Sequence, residues 1–203
     1  MIWYQSIPSW IQKLFPTLTW EMPDSTNTVY LTFDDGPHPE ITPWVIEQLD
    51  QYNMKASFFC VGDNARKHPE TLQQITQKGH QLGNHTMHHI KGWKTSTADY
   101  LKDIQLCEEY LQTNLFRPPY GRITRQQIKA LKNDYKIVMW SLLSCDFDQS
   151  LNCESALHGL KNKTKNGSIV VFHDSLKAEK NLRYLLPKYL EFLHNKGYTC
   201  KTL

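Results

Sequence analysis

Val29-Tyr30-Leu31-Thr32-Phe33-Asp34-Asp35-Gly36-Pro37 decides the fold. The first five residues are β-branched, aromatic or apolar and read as a strand, and Asp-Asp-Gly-Pro ends it in a turn. Downstream, Thr42-Pro43 supplies an N-cap and a proline at the first helical position, and Trp44, Val45, Ile46 and Leu49 form an apolar face, so a helix follows the strand. The alternation recurs outward from there. Ser57 to Val61 reads as a strand, Pro69 to Lys78 as a helix closed by Gly79, and Gln81-Leu82-Gly83 as a short strand. Ser96 or Thr97 caps a helix running to Gln112, and Thr124 to Lys132 is another. Lys136 to Trp140 and Ser168 to Phe172 read as strands separated by a helix near Glu154 to Asn162. A helix from Glu179 to Asn195 and a strand from Tyr198 to Lys201 close the chain. Strands alternating with helices predict a parallel α/β sheet, and this many units in one domain predict a barrel.

At 203 residues the chain buries roughly 70% of its extended surface, enough for one domain with a sizeable core. Net charge is only +3, and Lys and Arg are spread along the chain without a basic stripe, which argues against a nucleic-acid partner. Five cysteines, an odd number without a C-x-x-C pair, read as reduced, mostly buried thiols. Residues 1–24 form an apolar, aromatic segment that precedes a domain spanning 25–203. The segment lacks a secretory signal and the chain has no 18-residue apolar run, which predicts a cytoplasmic protein. Trp3, Ile7, Trp10, Ile11, Leu14 and Phe15 would share a helical face. That face either packs on the domain or, through residues 2–15, lies on a membrane, and the scarcity of basic residues beside it favours packing.

Chemistry-bearing residues fall where strands end. Asp34-Asp35 follows the first strand, Asn84-His85 another, and Asp146 lies past Trp140, while His173 ends Ile169-Val170-Val171-Phe172. In an α/β barrel these ends converge on one face. Two adjacent carboxylates on a turn point in different directions, so one can bind a cation while the other acts as a base. His85 and His89 in His85-Thr86-Met87-His88-His89 share one face if the segment makes a helical turn, with His88 pointing elsewhere. Two histidines and a carboxylate from Asp35 would leave metal positions open for water and substrate, as catalytic sites require. Arg117-Pro118-Pro119-Tyr120-Gly121 is a stiff turn whose arginine can fork onto a carboxylate.

In this order, TFDDGP, HTMHH, RPPYG, a Trp-to-Asp-Phe segment and VFHD resemble the five motifs of the polysaccharide deacetylases, the NodB-homology carbohydrate esterases, over Val29 to Tyr198. The resemblance implies a distorted (β/α) barrel of seven or eight strands and one divalent metal, usually zinc with cobalt or nickel as alternatives, on Asp35, His85 and His89. It implies Asp34 as general base, His173 as general acid, Arg117 orienting the base and Asp146 orienting the acid. Tyr120 falls where the family offers a backbone N–H to the oxyanion, and Pro119, Tyr120, Phe147 and Val171 would line the substrate. The expected reaction removes N-acetyl groups from an N-acetylglucosamine-containing glycan, whether chitin oligomer, peptidoglycan, exopolysaccharide or lipid-linked sugar. Two further readings are a hydrolase of a cyclic ureide or imide and an inactive carbohydrate-binding relative. The chain departs from the family with Leu143 where an aspartate is common, Phe147 for tryptophan and Val171 for leucine.

Overall fold

The computed structural model describes residues 5–23 and 27–203, so Trp3 and the rest of residues 1–4 in the expected N-terminal face lie outside it. In chain order the first elements are α1 (Ser9–Leu14), β1 (Thr28–Asp34), α2 (Ile41–Asp50), β2 (Ala56–Cys60), α3 (Gly62–Lys67), α4 (Pro69–Gln77), β3 (Gln81–Asn84), α5 (Thr97–Cys107) and β4 (Leu115–Phe116). Then come α6 (Arg125–Leu131), β5 (Lys136–Ile137), β6 (Leu142–Leu143), α7 (Cys153–Lys163), β7 (Ile169–His173), α8 (Glu179–Asn195) and β8 (Thr199–Cys200).

The strands pair in parallel in the order β5-β4-β3-β2-β1-β7-β6, with β8 beside the start of β1. The sheet curls into a half-barrel of the kind the sequence predicts. β1 is buried at all seven positions, as a central parallel strand must be when both faces are covered. Its alternation sorts side chains between two layers. Val29, Leu31 and Phe33 face the helices, where Phe33 stacks against Phe58 and Phe172 and the cluster extends to Val45, Leu186 and Tyr189. Tyr30 faces inward with Phe59, Leu115, Val138 and Ile169. Thr32 and Asp34 follow Tyr30 on that inner face, so the strand that anchors the core also carries the site.

Residues 5–23 lie across the opening between the two edge strands. Ser6 bridges Leu142 of β6 antiparallel, while Thr19 bridges Val138, just past β5, in parallel. Ile7, Ile11, Phe15, Leu18 and Trp20 pack with Ile128, Leu131, Ile137 and Met139, so the segment covers edges that would otherwise present unpaired backbone groups. Trp10 and Leu14 of the expected apolar face point outward, 63% and 55% exposed.

Several elements differ from the sequence reading. Lys136 to Trp140 is not one strand: β5 ends at Ile137 on one edge, and the chain crosses to form β6 on the opposite edge, with Ser141 N–H bonding to Ile169 O in passing. α5 stops at Cys107 and turns through Glu108–Tyr110 instead of reaching Gln112. Thr42 lies inside α2, which begins at Ile41. Its hydroxyl accepts from His38 N–H and donates to Asp174, so tertiary bonding has taken it from the capping role. α3, held by Asp63 with Arg66 and Lys67 one turn on, and the two-residue β4 were not anticipated. All five cysteines are free thiols, and only Cys153 is less than buried.

Candidate active site

Strand register alone brings the predicted residues together. Asp34 at the end of β1 is paired with His173 at the end of β7, and Asn84 at the end of β3 with Phe116 of β4, which sets His85 beside Arg117. Asp146 arrives from the turn after β6.

Asp35, His85 and His89 offer ligand atoms that all lie within 4.8 Å of one another. Asp35 Oδ1 is 3.0 Å from His89 Nε2 and 3.7 Å from His85 Nε2. A tetrahedral cation with ligand bonds of about 2.1 Å sets its ligands roughly 3.4 Å apart, so the spacing fits a divalent metal. His85 Nδ1 is 2.7 Å from Arg117 O. A carbonyl only accepts, so that nitrogen carries the proton and Nε2 turns its lone pair to the cluster. Burial drives the His85 imidazole down to about 4, which keeps it neutral as a ligand must be. Burial alone would raise the Asp35 carboxyl, but the His89 hydrogen bond and the charges of His173, His85 and His89 prevail and hold it well below the usual range.

The expectation that His85 and His89 share a helical turn does not hold. Thr86 and His89 have left-handed backbones, φ 64° and 54°, and the segment is an irregular loop. Bonds from its surroundings hold it: Asn84 Oδ1 accepts from Thr86 N–H, Thr86 O accepts from Gly62 N–H, and Asp103 O accepts from Met87 N–H. His88 does point elsewhere, with Nδ1 at 2.6 Å from Asp103 Oδ1 and the side chain 58% exposed. Asp35 is itself left-handed, φ 77°, and its carbonyl accepts from Asn64 Nδ2.

Two charge pairs flank the triad. Arg117 is fully buried over the Phe59 ring, and its NH1 donates to Asp34 Oδ1 and Thr32 Oγ1, both at 2.7 Å. Its other donors reach Val138 O and Met139 O, so the fork is fixed on four acceptors. Asp34 Oδ2 has no hydrogen bond among the described residues. On the other side His173 Nδ1 is 2.7 Å from Asp146 Oδ1, and Asp146 Oδ2 accepts from the His173 backbone N–H. Burial works against an imidazolium there. The Asp146 charge and hydrogen bond, helped by Asp35 and Asp34, outweigh it and raise His173 to about 9.

Leu143, Cys145 and Val171 form a small apolar cluster joined by Phe147 and Trp140, and the Phe147 ring meets His173 edge-on at 5.1 Å. Tyr120, φ 61° and 53% exposed, sets its ring 4.6 Å from His89, while Pro119 beside it is buried. All the predicted site residues except Pro119 are thus tied by these contacts to one end of the half-barrel. Three supports escaped the sequence reading. Asp103 holds the histidine loop from α5; Asn181 of α8 donates to Asp146 O and Asp148 O; Asp174 accepts from Gly36 N–H. Each acts across 15 or more positions of chain, which leaves no local signal.

The polysaccharide deacetylase family model matches residues 21–137. A peptidoglycan-N-acetylglucosamine deacetylase of Bacillus cereus is 33% identical over 201 residues, 95% of this chain and 94% of the relative. A chitooligosaccharide deacetylase of Azorhizobium caulinodans is 31% identical over 156 residues, 73% of this chain and 74% of the relative. Among solved structures, the Bc1960 peptidoglycan N-acetylglucosamine deacetylase bound to 4-naphthalen-1-yl-N-oxidanyl-benzamide superimposes with a TM-score of 0.87 at 32% identity, covering 96% of this chain and 94% of that one. A match over more than half the chain, with the five motifs folded into one site, places the chain in the polysaccharide deacetylase family.

Proposed function

We propose that the protein is a metal-dependent hydrolase that removes N-acetyl groups from N-acetylglucosamine-containing glycans and releases acetate. The observation that supports this best is the pairing of Asp34 with His173 on adjacent strands, each with its own charge partner, beside the three-ligand cluster. Amide hydrolysis needs an activated water, a stabilised oxyanion and a protonated leaving amine.

Asp35, His85 and His89 would hold the cation, which when bound acidifies water and polarises the acetyl carbonyl. Zinc suits two imidazoles and a carboxylate, and cobalt or nickel would serve in its place. Asp34 takes the water's proton on Oδ2, the oxygen that Arg117 leaves free, while Arg117 fixes the carboxylate's position and stabilises its charge. His173, its Nδ1 committed to Asp146, donates from Nε2 to the departing sugar nitrogen. Leu143, Val171 and Phe147 offer the acetyl methyl an apolar wall. Tyr120, whose backbone N–H would donate to the oxyanion, has its ring 4.6 Å from that of His89.

The test is acetate release from acetylated glucosamine oligomers and peptidoglycan by protein stripped of metal and then restored with Zn²⁺ or Co²⁺. Activity should vanish and return. Full turnover in protein shown by elemental analysis to be metal-free would refute the assignment.

A further inference from the structure

The outward side of the N-terminal segment joins an apolar ridge to cations brought from another part of the chain. Two of the six large hydrophobic side chains that stand exposed among the described residues, Trp10 and Leu14, lie one turn apart on the short helix α1, so they form a patch instead of scattering singly. Exposed Lys13 shares their side of the helix. The inward residues Ile11 and Phe15 pack with Ile128 and Leu131 of α6, and the Arg125 guanidinium lies 5.9 Å from the centre of the Phe15 ring. Arg125, Lys129 and Lys132 follow at helical spacing along the exposed side of α6 and its C-terminal cap. Among the described residues none of these four cations has an ion-pair partner, and neither residues 1–20 nor residues 117–133 contain an acid. The flanking acids are Glu21, engaged with Lys165 at 2.6 Å, and Asp134 beyond the end of α6. The basic residues that the segment itself lacks are thus supplied by α6.

Beside α1 the same segment borders a groove of about 420 Å³ lined by Gln12, Pro16, Leu18, Trp20, Met22 and Lys136. The half-buried Lys136 ammonium donates there only to Met22 Sδ, 3.5 Å away. A thioether is a weak acceptor, so this cation is drawn partly out of water without an anion to compensate it. A largely apolar groove with an uncompensated ammonium suits an anion that carries hydrocarbon, which is the chemistry of a phospholipid. We propose that this face docks on an anionic lipid bilayer, with Trp10 and Leu14 entering the interfacial layer, Lys13, Arg125, Lys129 and Lys132 against headgroup phosphates, and one headgroup in the groove at Lys136. Tryptophan suits that depth, because its ring prefers the acyl boundary while its N–H stays among polar groups. A second copy of this chain fits the face poorly, since a two-fold contact would set the four cations against their own counterparts. A soluble polyanion would meet the cations and leave Trp10 and Leu14 in water.

The test is co-sedimentation of the full chain with vesicles of phosphatidylcholine alone and of phosphatidylcholine and phosphatidylglycerol in equal parts, with soluble polyphosphate as a competitor. The chain should bind the mixed vesicles about a hundredfold more tightly than the neutral ones, and lose most of that affinity by about 0.5 M salt. Trp10→Ala combined with Leu14→Ala should weaken binding about tenfold, Lys129→Gln combined with Lys132→Gln about twentyfold, and Lys136→Gln about fivefold. Leu176→Ala, which removes an equally exposed apolar side chain elsewhere, should change nothing. Circular dichroism and melting should match the wild type in all the surface variants. Absence of binding to the mixed vesicles overturns the docking face, as does unchanged affinity in the Trp10 and Leu14 variant or an equal loss in Leu176→Ala. Polyphosphate bound as tightly as the vesicles, with no dependence on Trp10, would make the face a polyanion site and overturn the bilayer as its occupant. A concentration-dependent dimer that Trp10→Ala abolishes, in a chain that ignores vesicles, would make it an interface between copies instead. Unchanged affinity in Lys136→Gln overturns the part assigned to the groove.

Discussion

Replacing Asp146 by Asn isolates what its charge does for His173. With its oxygen toward Nδ1 the amide can still accept from the ring, although its NH₂ then faces the His173 backbone N–H that Asp146 Oδ2 accepted from, and the charge that opposes burial is gone. His173 stands at about 9 against an ordinary 6.5, and burial, the largest influence on it, pulls downward. Without the Asp146 charge the imidazolium should therefore titrate roughly 2 to 3 pH units lower, about 3 to 4 kcal/mol at 1.36 kcal/mol per unit. An acid must be protonated to donate, so activity falls as pH rises through its pKa, and the alkaline limb of kcat/KM moves down by that interval. At about pH 8 the protonated fraction drops from roughly nine-tenths to a few hundredths, a loss near 30-fold, while at about pH 6 it changes less than twofold. A bound cation offsets the help from Asp35 and lowers the limb in both proteins, so the comparison is made at equal metal load. The assay is acetate release from an N-acetylglucosamine oligomer from pH 5 to 10, with the His173 ring titrated by NMR in the same samples. An alkaline limb that stays in place in the variant while the ring's titration moves would remove His173 from the role of leaving-group acid.

Much of this site is legible in the sequence because its residues sit at strand ends, and in a parallel sheet all such ends lie on one side. The strand from Val29 to Phe33 is marked by composition and closed by Asp34-Asp35, so β1 and its two carboxylates come from one local pattern. The same holds for Val170 to His173. The fold of the histidine loop was not legible. Spacing of four suggests a helical turn, but the turn's bonds come from Asp103, Asn84 and Gly62, and non-local bonds override the local preference. β4, β5 and β6 have two residues each, too few for any period to show, and the crossing between β5 and β6 is set by the N-terminal segment and β7. Thr42 has the sequence of a cap and the environment of a buried carboxylate's partner. In each case the signal that decides the structure lies elsewhere in the chain.

Arg117→Met should destabilise the fold by roughly 3 to 5 kcal/mol, because it leaves Asp34 buried without its counter-charge; a urea-unfolding difference under about 1 kcal/mol would contradict this. His88→Ala should keep one metal per chain by elemental analysis while His89→Ala loses it, and loss in both would make His88 a ligand. Asp174→Asn should invert the usual effect of removing a carboxylate. Asp174 is fully buried between Gly36 N–H and the Thr42 hydroxyl, and burial, reinforced by Asp35 and Asp34, raises its carboxyl to about 8 despite the Thr42 hydrogen bond. Unfolded, the same group titrates near 3.9. Between those values the native state holds a proton that the unfolded state has released, so stability is greatest below about pH 4 and falls by about 1.4 kcal/mol per unit up to about pH 8. Asparagine cannot ionise, and its oxygen and NH₂ can meet Gly36 and Thr42, with about 1 kcal/mol lost where the Thr42 proton must find another acceptor. The variant should then gain on the wild type as pH rises, by roughly 3 kcal/mol between about pH 5 and pH 7.5. Urea unfolding of chelator-treated protein at the two pH values reads the difference, since a cation at Asp35 would relieve part of the repulsion. Parallel pH dependence in the two proteins would mean that Asp174 is ionised in the native site, and a carboxylate held on Gly36 would then be part of the charge that the Asp34-Asp35 turn has to bear.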